Sequence, residues 1–71
     1  MVMNEFLKLF GQRLAAVRKE RGWSQEQLAL ESGVARSYPS GIERGQRNIS
    51  LIKICRLAET LGVKPSVLLE F

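Results

Sequence analysis

Apolar side chains recur every three or four positions along most of the chain, which is the period of an amphipathic α-helix. The pattern predicts a first helix from about Asn4 to Arg21, ended by Gly22. It predicts a fourth helix between Ser50, a favourable cap, and Gly62. The apolar faces comprise Phe6, Phe10, Leu14 and Val17 in the first helix, and Leu51, Ile54, Leu57, Ala58 and Leu61 in the fourth. No segment favours a strand, so we expect an all-α chain.

Two short helix patterns lie between residues 23 and 45 and are separated by a single glycine. Ser24 is suited to cap the first of them, with Gln27 three residues later as the other half of a capping box. Gly33 ends this helix because glycine adopts a left-handed backbone readily. The second helix carries polar and basic side chains between its apolar positions. Two helices joined by a tight turn in this way form a helix-turn-helix, the unit that enters the DNA major groove.

A short fifth helix is expected near the end of the chain, where Pro65 suits a first helical turn. Its apolar end contains four large apolar side chains, more than a short helix buries on its own side. Either they close the core of one chain, or they form a surface where two chains associate. These residues are Val67, Leu68, Leu69 and Phe71. We therefore expect one compact five-helix domain over residues 1–71, with a helix-turn-helix at about 24–44 and a dimerisation segment at about 63–71.

Composition narrows the possible functions. The 71 residues are 45% apolar, as in a small globular domain, and no apolar run approaches the roughly 20 residues of a membrane span. The single cysteine, Cys55, excludes a disulfide framework and is expected to be a buried thiol in a reducing cytoplasm. The chain has no histidine, no aspartate and no spacing typical of metal ligands. We expect neither an enzyme nor a bound cofactor.

Positive charge is concentrated in one part of the chain. Residues 36–56 contain five of the eleven basic residues and one of the seven acidic ones, so this window accounts for the whole net charge of +4. Basic side chains beside a helix that enters the major groove can contact DNA phosphates.

The helix-turn-helix resembles that of the phage-repressor-like transcriptional regulators. The positions that carry the resemblance are Gln25, Ala29, Gly33, Ile42 and Glu43. The wider string RSYPSGIERGQRNIS, residues 36–50, is similar to the controller proteins of bacterial restriction–modification systems. The resemblance extends from about residue 6 to residue 69. It implies a homodimer that binds double-stranded DNA at a pseudo-palindromic operator, in the bacterial or phage-infected cytoplasm and associated with the nucleoid.

Arg36 is the first candidate for reading bases, because arginine matches guanine O6 and N7 with two parallel hydrogen bonds. Ser37 and Ser40 can reach a base or a phosphate, although Ser37 also suits a helix start. Tyr38 can pack on a thymine methyl group, or it can be a core residue. The resemblance assigns a second set to the DNA backbone, namely Gln25, Arg44, Arg47 and Asn48.

Glu43 is the only acid in the basic window, and the resemblance implies that it turns inward and pairs with Arg18. Pro39 departs from the family pattern, in which a branched aliphatic side chain is usual. If Ala35 caps the third helix, Pro39 removes its first hydrogen bond; if Arg36 caps it, Pro39 is the third residue, whose N–H would be free anyway. We expect a late or loosened helix start. Ser32 also occupies a position that is often apolar in the family.

A single domain of this kind suits a regulator controlled by its own concentration through dimerisation. A restriction–modification controller fits best; a phage-type repressor or an antitoxin-like regulator is the next alternative. A protein-interaction module that keeps the fold without DNA binding is a different class of function, because fold alone does not decide function. We expect no small-molecule effector, because the sequence shows no ligand pocket.

Overall fold

The computed structural model describes residues 2–71, which form four α-helices and a short 3₁₀ helix, with no strand among them. The elements are α1 (Met3–Glu20), α2 (Gln25–Ser32), α3 (Ser37–Glu43), α4 (Leu51–Leu61) and the C-terminal 3₁₀ helix (Pro65–Leu69). The all-α prediction is therefore confirmed, but the fifth helix is a 3₁₀ helix and not an α-helix. No helix in the described part of the chain is long and apolar enough to cross a membrane.

The helix ends follow local sequence signals. Ser24 caps α2 by accepting a hydrogen bond from the backbone N–H of Gln27 at 3.0 Å, and Ser50 caps α4 in the same way. Gly33 and Gly62, which end α2 and α4, both have left-handed backbone conformations. The second half of the predicted capping box, from the Ser24 N–H to the Gln27 side-chain oxygen, is not formed among residues 2–71, and Gln27 Nε2 donates to the Glu31 carboxylate one turn later.

Buried apolar side chains from every helix form a single core. Its members are Phe10, Leu14, Val17, Leu28, Ile42, Ile54, Leu57, Ala58, Leu61 and Leu68. Two expectations for α4 are wrong: Leu51 is 75% exposed, and the Cys55 thiol is exposed. No element covers this side of α4, so its apolar face is narrower than the sequence pattern indicates. Ser32 is buried, and its hydroxyl has no hydrogen-bond partner among residues 2–71.

The start of α3 follows the second of the two alternatives for Pro39. Arg36 stands at the cap position and Pro39 is the third residue of the helix, so its missing N–H removes no intrahelical bond. The Pro39 ring is fully buried. The cap residue makes no side-chain capping bond, and the N–H of Tyr38 donates to the carbonyl of Ala35 at 2.9 Å, which is a 3₁₀-type turn. The proline is thus accommodated by a tight first turn.

The backbone of α3 lies directly against α1. A Cβ atom added to Gly11 would stand 2.4 Å from the carbonyl oxygen of Ile42 and 2.7 Å from that of Glu43. Both distances are far shorter than a van der Waals contact, so only glycine permits this approach. The position of α3 relative to α1 therefore depends on the absence of a side chain at residue 11.

Candidate nucleic-acid interface

The turn between α2 and α3 leaves one side of α3 facing outward. Pro39 and Ile42 point into the core, whereas Arg36 and Ser37 are exposed at the start of the helix. Ser40 is half-buried, and its hydroxyl donates to the carbonyl of Ser37 at 3.1 Å. The exposed groups of α3 are therefore concentrated at its N-terminal end.

Arg36 extends from the start of α3 toward the surface of α2. Its side chain is 80% exposed, and its Nη2 forms an ion pair with Oε2 of Glu26. The contact uses one nitrogen of the guanidinium, so the Nε–H and Nη1 donors remain available for a ligand. An exposed pair of this kind contributes little to stability. Arg36 is free to exchange Glu26 for another acceptor.

Tyr38 is half-buried and packs against the core, with two cations close to its ring. The Arg47 guanidinium carbon lies 5.5 Å from the ring centroid, and the Lys53 ammonium nitrogen lies 5.8 Å from it. Both distances are within the range of cation–π attraction. The tyrosine thus takes part in both the core and a basic cluster. Lys53 was not among the predicted site residues, and membership of the basic window was its only sequence signal.

The remaining basic and polar candidates lie after α3. Arg44 follows its last residue and is exposed, and Arg47 and Asn48 are exposed in the loop that leads to α4. The contact of Arg47 with Tyr38 joins this loop to the first turn of α3. Arg47 therefore lies next to one of the predicted base-reading residues, Tyr38.

Arg18 and Glu43 form a buried ion pair between α1 and α3. Arg18 Nε and Nη2 donate to the two carboxylate oxygens of Glu43 at 2.7 and 3.0 Å, and the side chains are only 10% and 6% exposed. Arg18 Nη1 also donates to the carbonyl of Trp23 at 2.7 Å. Hydrogen bonding to Glu43 raises the pKa of the Arg18 guanidinium, against the lowering effect of burial, so Arg18 stays charged.

Gln25 is tied to the same carboxylate and is not directed outward. Its Nε2 donates to Oε1 of Glu43 at 2.8 Å, so the first residue of α2 is bonded to the last residue of α3. This amide therefore contacts the end of α3 in the free protein, and its predicted contact with a DNA phosphate stays a prediction.

The C-terminal apolar residues are divided between core and surface. Leu68 is completely buried within the chain, so it is removed from the predicted interface, and Val67 is half-buried. Leu69 and Phe71 remain 40% and 48% exposed. The Phe71 ring meets Phe6 of α1 edge to face at 5.5 Å between centroids. The core alternative therefore holds for Leu68, and association of two chains through the exposed residues stays a prediction.

The chain is similar to helix-turn-helix regulators over most of its length. The helix-turn-helix family model matches residues 14–68. The control protein C.BamHI of Bacillus amyloliquefaciens is 45% identical over 69 residues, which cover 96% of this chain and 85% of that protein. The crystal structure of the restriction–modification controller protein C.AhdI from Aeromonas hydrophila is 53% identical with a TM-score of 0.85, covering 87% of this chain and 94% of that one. The crystal structure of the biofilm regulator SinR in complex with DNA is 40% identical with a TM-score of 0.80, covering 86% and 98%.

Proposed function

Because the chain belongs to the helix-turn-helix family of DNA-binding transcriptional regulators, we propose that it is a restriction–modification controller protein. In this role it binds a pseudo-palindromic operator as a homodimer. The similarity to two controller proteins, C.BamHI and C.AhdI, over nearly the full length of each chain supports this function over that of a phage-type repressor or an antitoxin-like regulator.

The observation that carries the proposal is the outward face at the start of α3. The Arg36 side chain there is 80% exposed and has donors free to bind both guanine O6 and N7. Ser37 lies beside it and offers a hydroxyl to a neighbouring base or phosphate. Tyr38 and Ser40, which are half-buried, contribute through the edges that remain accessible.

The loop after α3 supplies affinity and register. Arg44 at the end of α3 and Arg47 and Asn48 in the following loop are exposed, so they can follow the sugar–phosphate backbone while α3 lies in the groove. Gln25 holds α2 and α3 together through Glu43. Its contribution to DNA binding is to fix the angle between the two helices.

The homodimer is formed by the apolar surface around the C-terminus, which we define as Val2, Met3, Leu69 and Phe71. All four side chains are exposed, and Phe6 links the two termini by its contact with Phe71. A two-fold dimer presents two copies of α3 to half-sites about 34 Å apart, which is one turn of B-DNA.

The test is fluorescence anisotropy with a pool of random-sequence DNA duplexes at two salt concentrations. We expect salt-sensitive binding and enrichment of a pseudo-palindrome. Arg36→Ala should lose about 1–3 kcal/mol of discrimination at one base pair of each half-site. Lys64→Ala is the matched control, because it removes the same charge from an exposed residue far along the chain from α3.

Failure of the wild-type protein to bind any duplex at low salt, while it remains a folded dimer, would overturn the proposal. That result would favour a protein-interaction module that keeps the fold. Equal losses of discrimination in Arg36→Ala and Lys64→Ala would leave DNA binding in place but remove Arg36 from base reading.

A further inference from the structure

Gly41 lies within α3, and an arginine from the following loop occupies the space beside it where another residue would have a side chain. A Cβ atom added to Gly41 would stand 3.1 Å from Cγ of Arg47 and 3.2 Å from its Cδ and Nε. Gly41 is buried although it has no side chain of its own to bury. The stem of Arg47 therefore crosses α3 at the position where the helix has no Cβ.

The charged end of Arg47 is held a short distance farther along. Its guanidinium carbon lies 5.5 Å from the centroid of the Tyr38 ring, on the preceding turn of α3. The start of the loop is fixed as well, because the N–H of Gln46 donates to the carbonyl of Gly41 at 2.9 Å. Arg47 is thus a loop residue that is held at both the stem and the head.

No carboxylate neutralises this arrangement within residues 2–71. The three ion pairs there involve Arg13, Arg18 and Arg36, and none involves Arg47 or Lys53. Two cations lie within 6 Å of one aromatic ring, and their mutual repulsion is relieved when an anion binds between or beside them. The arrangement suits a phosphate group.

The fold alone gives no reason for a glycine at this position. Glycine is a poorer helix former than alanine, and the Gly41 backbone follows the ordinary helix without a positive φ angle. The nearest neighbour of an added Cβ would be the Arg47 stem, which would have to move by a few tenths of an ångström.

We propose that Gly41 is a positioning residue for DNA binding, because it leaves the space in which the Arg47 stem lies and from which the guanidinium is presented to a DNA phosphate. The inference rests on the proposed function and adds a residue that does not itself contact DNA. An arginine held in place before binding loses less conformational entropy on contact than a mobile one.

The test is Gly41→Ala, for which stability and DNA affinity are expected to change in opposite directions. The melting temperature, followed by circular dichroism, should rise because alanine favours the helix. Affinity for the selected duplex should fall about five- to tenfold, and the slope of log affinity against log salt should decrease by about 1, as for one lost phosphate contact. A fall in both stability and affinity would overturn the proposal, as would an unchanged affinity.

A double-mutant cycle separates positioning from a direct contact of residue 41 with DNA. In the Arg47→Ala background, the Gly41→Ala substitution should cause no further loss of affinity, because the side chain that it displaces is already absent. The same loss in both backgrounds would mean that the added methyl group meets DNA itself, which would overturn the inference.

An NMR measurement without DNA tests the positioning role of Gly41 separately from the proposed function. In the wild-type protein, the Arg47 side-chain protons should show upfield NMR shifts from the Tyr38 ring, and Gly41→Ala should reduce them. If the wild-type chain binds no duplex, the proposed function fails. If the shifts are absent or unaffected by the substitution, the positioning role of Gly41 fails.

Discussion

At the scale of single residues, the Glu43 carboxylate connects three helices. It accepts hydrogen bonds from Arg18 of α1 and from Gln25 of α2, while it belongs to the last turn of α3. A buried ion pair is weak evidence of stability, because the loss of hydration offsets most of the attraction. Its directional bonds instead fix where α3 ends relative to the other two helices.

Removing one partner of the Arg18–Glu43 ion pair should destabilise the protein. Arg18→Met leaves the Glu43 carboxylate buried without its cation, and we expect the free energy of unfolding to fall by about 3–5 kcal/mol. Urea denaturation followed by circular dichroism measures this change. Lys19→Met, an exposed neighbour on α1, should change stability by less than about 0.5 kcal/mol.

The double substitution Arg18→Met with Glu43→Leu distinguishes the cause of that loss. It removes both charges, so it should destabilise the protein less than Arg18→Met alone. If it is the more destabilising of the two, the loss arises from packing and not from a stranded carboxylate.

At the scale of the elements, the helices that the sequence predicts best are those with local signals. A serine cap and a terminal glycine act within one turn, so the ends of α2 and α4 follow from a few adjacent residues. Exposure of Leu51 and Cys55 could not be predicted in this way, because it depends on which distant element covers each side of α4. The five-residue Pro65–Leu69 segment is too short for its apolar pattern to distinguish an α-helix from a 3₁₀ helix.

The candidate site likewise has features that local sequence predicts and contacts that depend on distant parts of the chain. Residues at the start of α3, such as Arg36, could be selected because the helix-turn-helix pattern indicates which end of the helix is accessible. The contacts of Gln25 with Glu43, and of Arg47 with Gly41, join residues that only the folded chain brings together. No helical period or charge count contains that information.

The contact between α1 and α3 gives a prediction at this scale. In Gly11→Ala the added Cβ would overlap the carbonyl oxygens of Ile42 and Glu43, and neither backbone can move without shifting a helix. We expect a net loss of about 1–3 kcal/mol, despite the better helix propensity of alanine. For a domain of this size such a loss lowers the melting temperature by several degrees.

Gly41→Ala is the matched comparison, because it is the same substitution in another helix and meets only a flexible side chain. The two variants should shift the melting temperature in opposite directions. A rise in Gly11→Ala would mean that α3 can move away from α1 without penalty.

At the scale of the whole molecule, the apolar surface around the C-terminus is the proposed site of self-association. A chain of 71 residues buries only a modest share of its surface when it folds alone. Leu69 and Phe71 are exposed apolar residues, and the Phe71 ring contacts Phe6 near the start of α1. In a two-fold dimer both copies of each interface side chain make contacts. A single substitution therefore weakens two sets of contacts.

Phe71→Asp should therefore raise the dimer dissociation constant at least about tenfold, as measured by sedimentation equilibrium. Ile52→Asp is the matched control, because Ile52 is a highly exposed apolar residue of α4 that lies outside this surface. If Ile52→Asp weakens self-association and Phe71→Asp does not, the two copies meet through α4.

The two sides of α3 have different consequences for how such a protein can evolve. Pro39 and Ile42 are buried and hold the helix in place, whereas Arg36 and Ser37 contribute almost nothing to the core. Substitutions at exposed positions of this kind usually change stability by less than about 0.5 kcal/mol. If Arg36 and Ser37 read the operator as proposed, the lineage can therefore explore new operator sequences one side chain at a time without risking the fold, and a diverged copy can cease to compete with its parent for the same promoter.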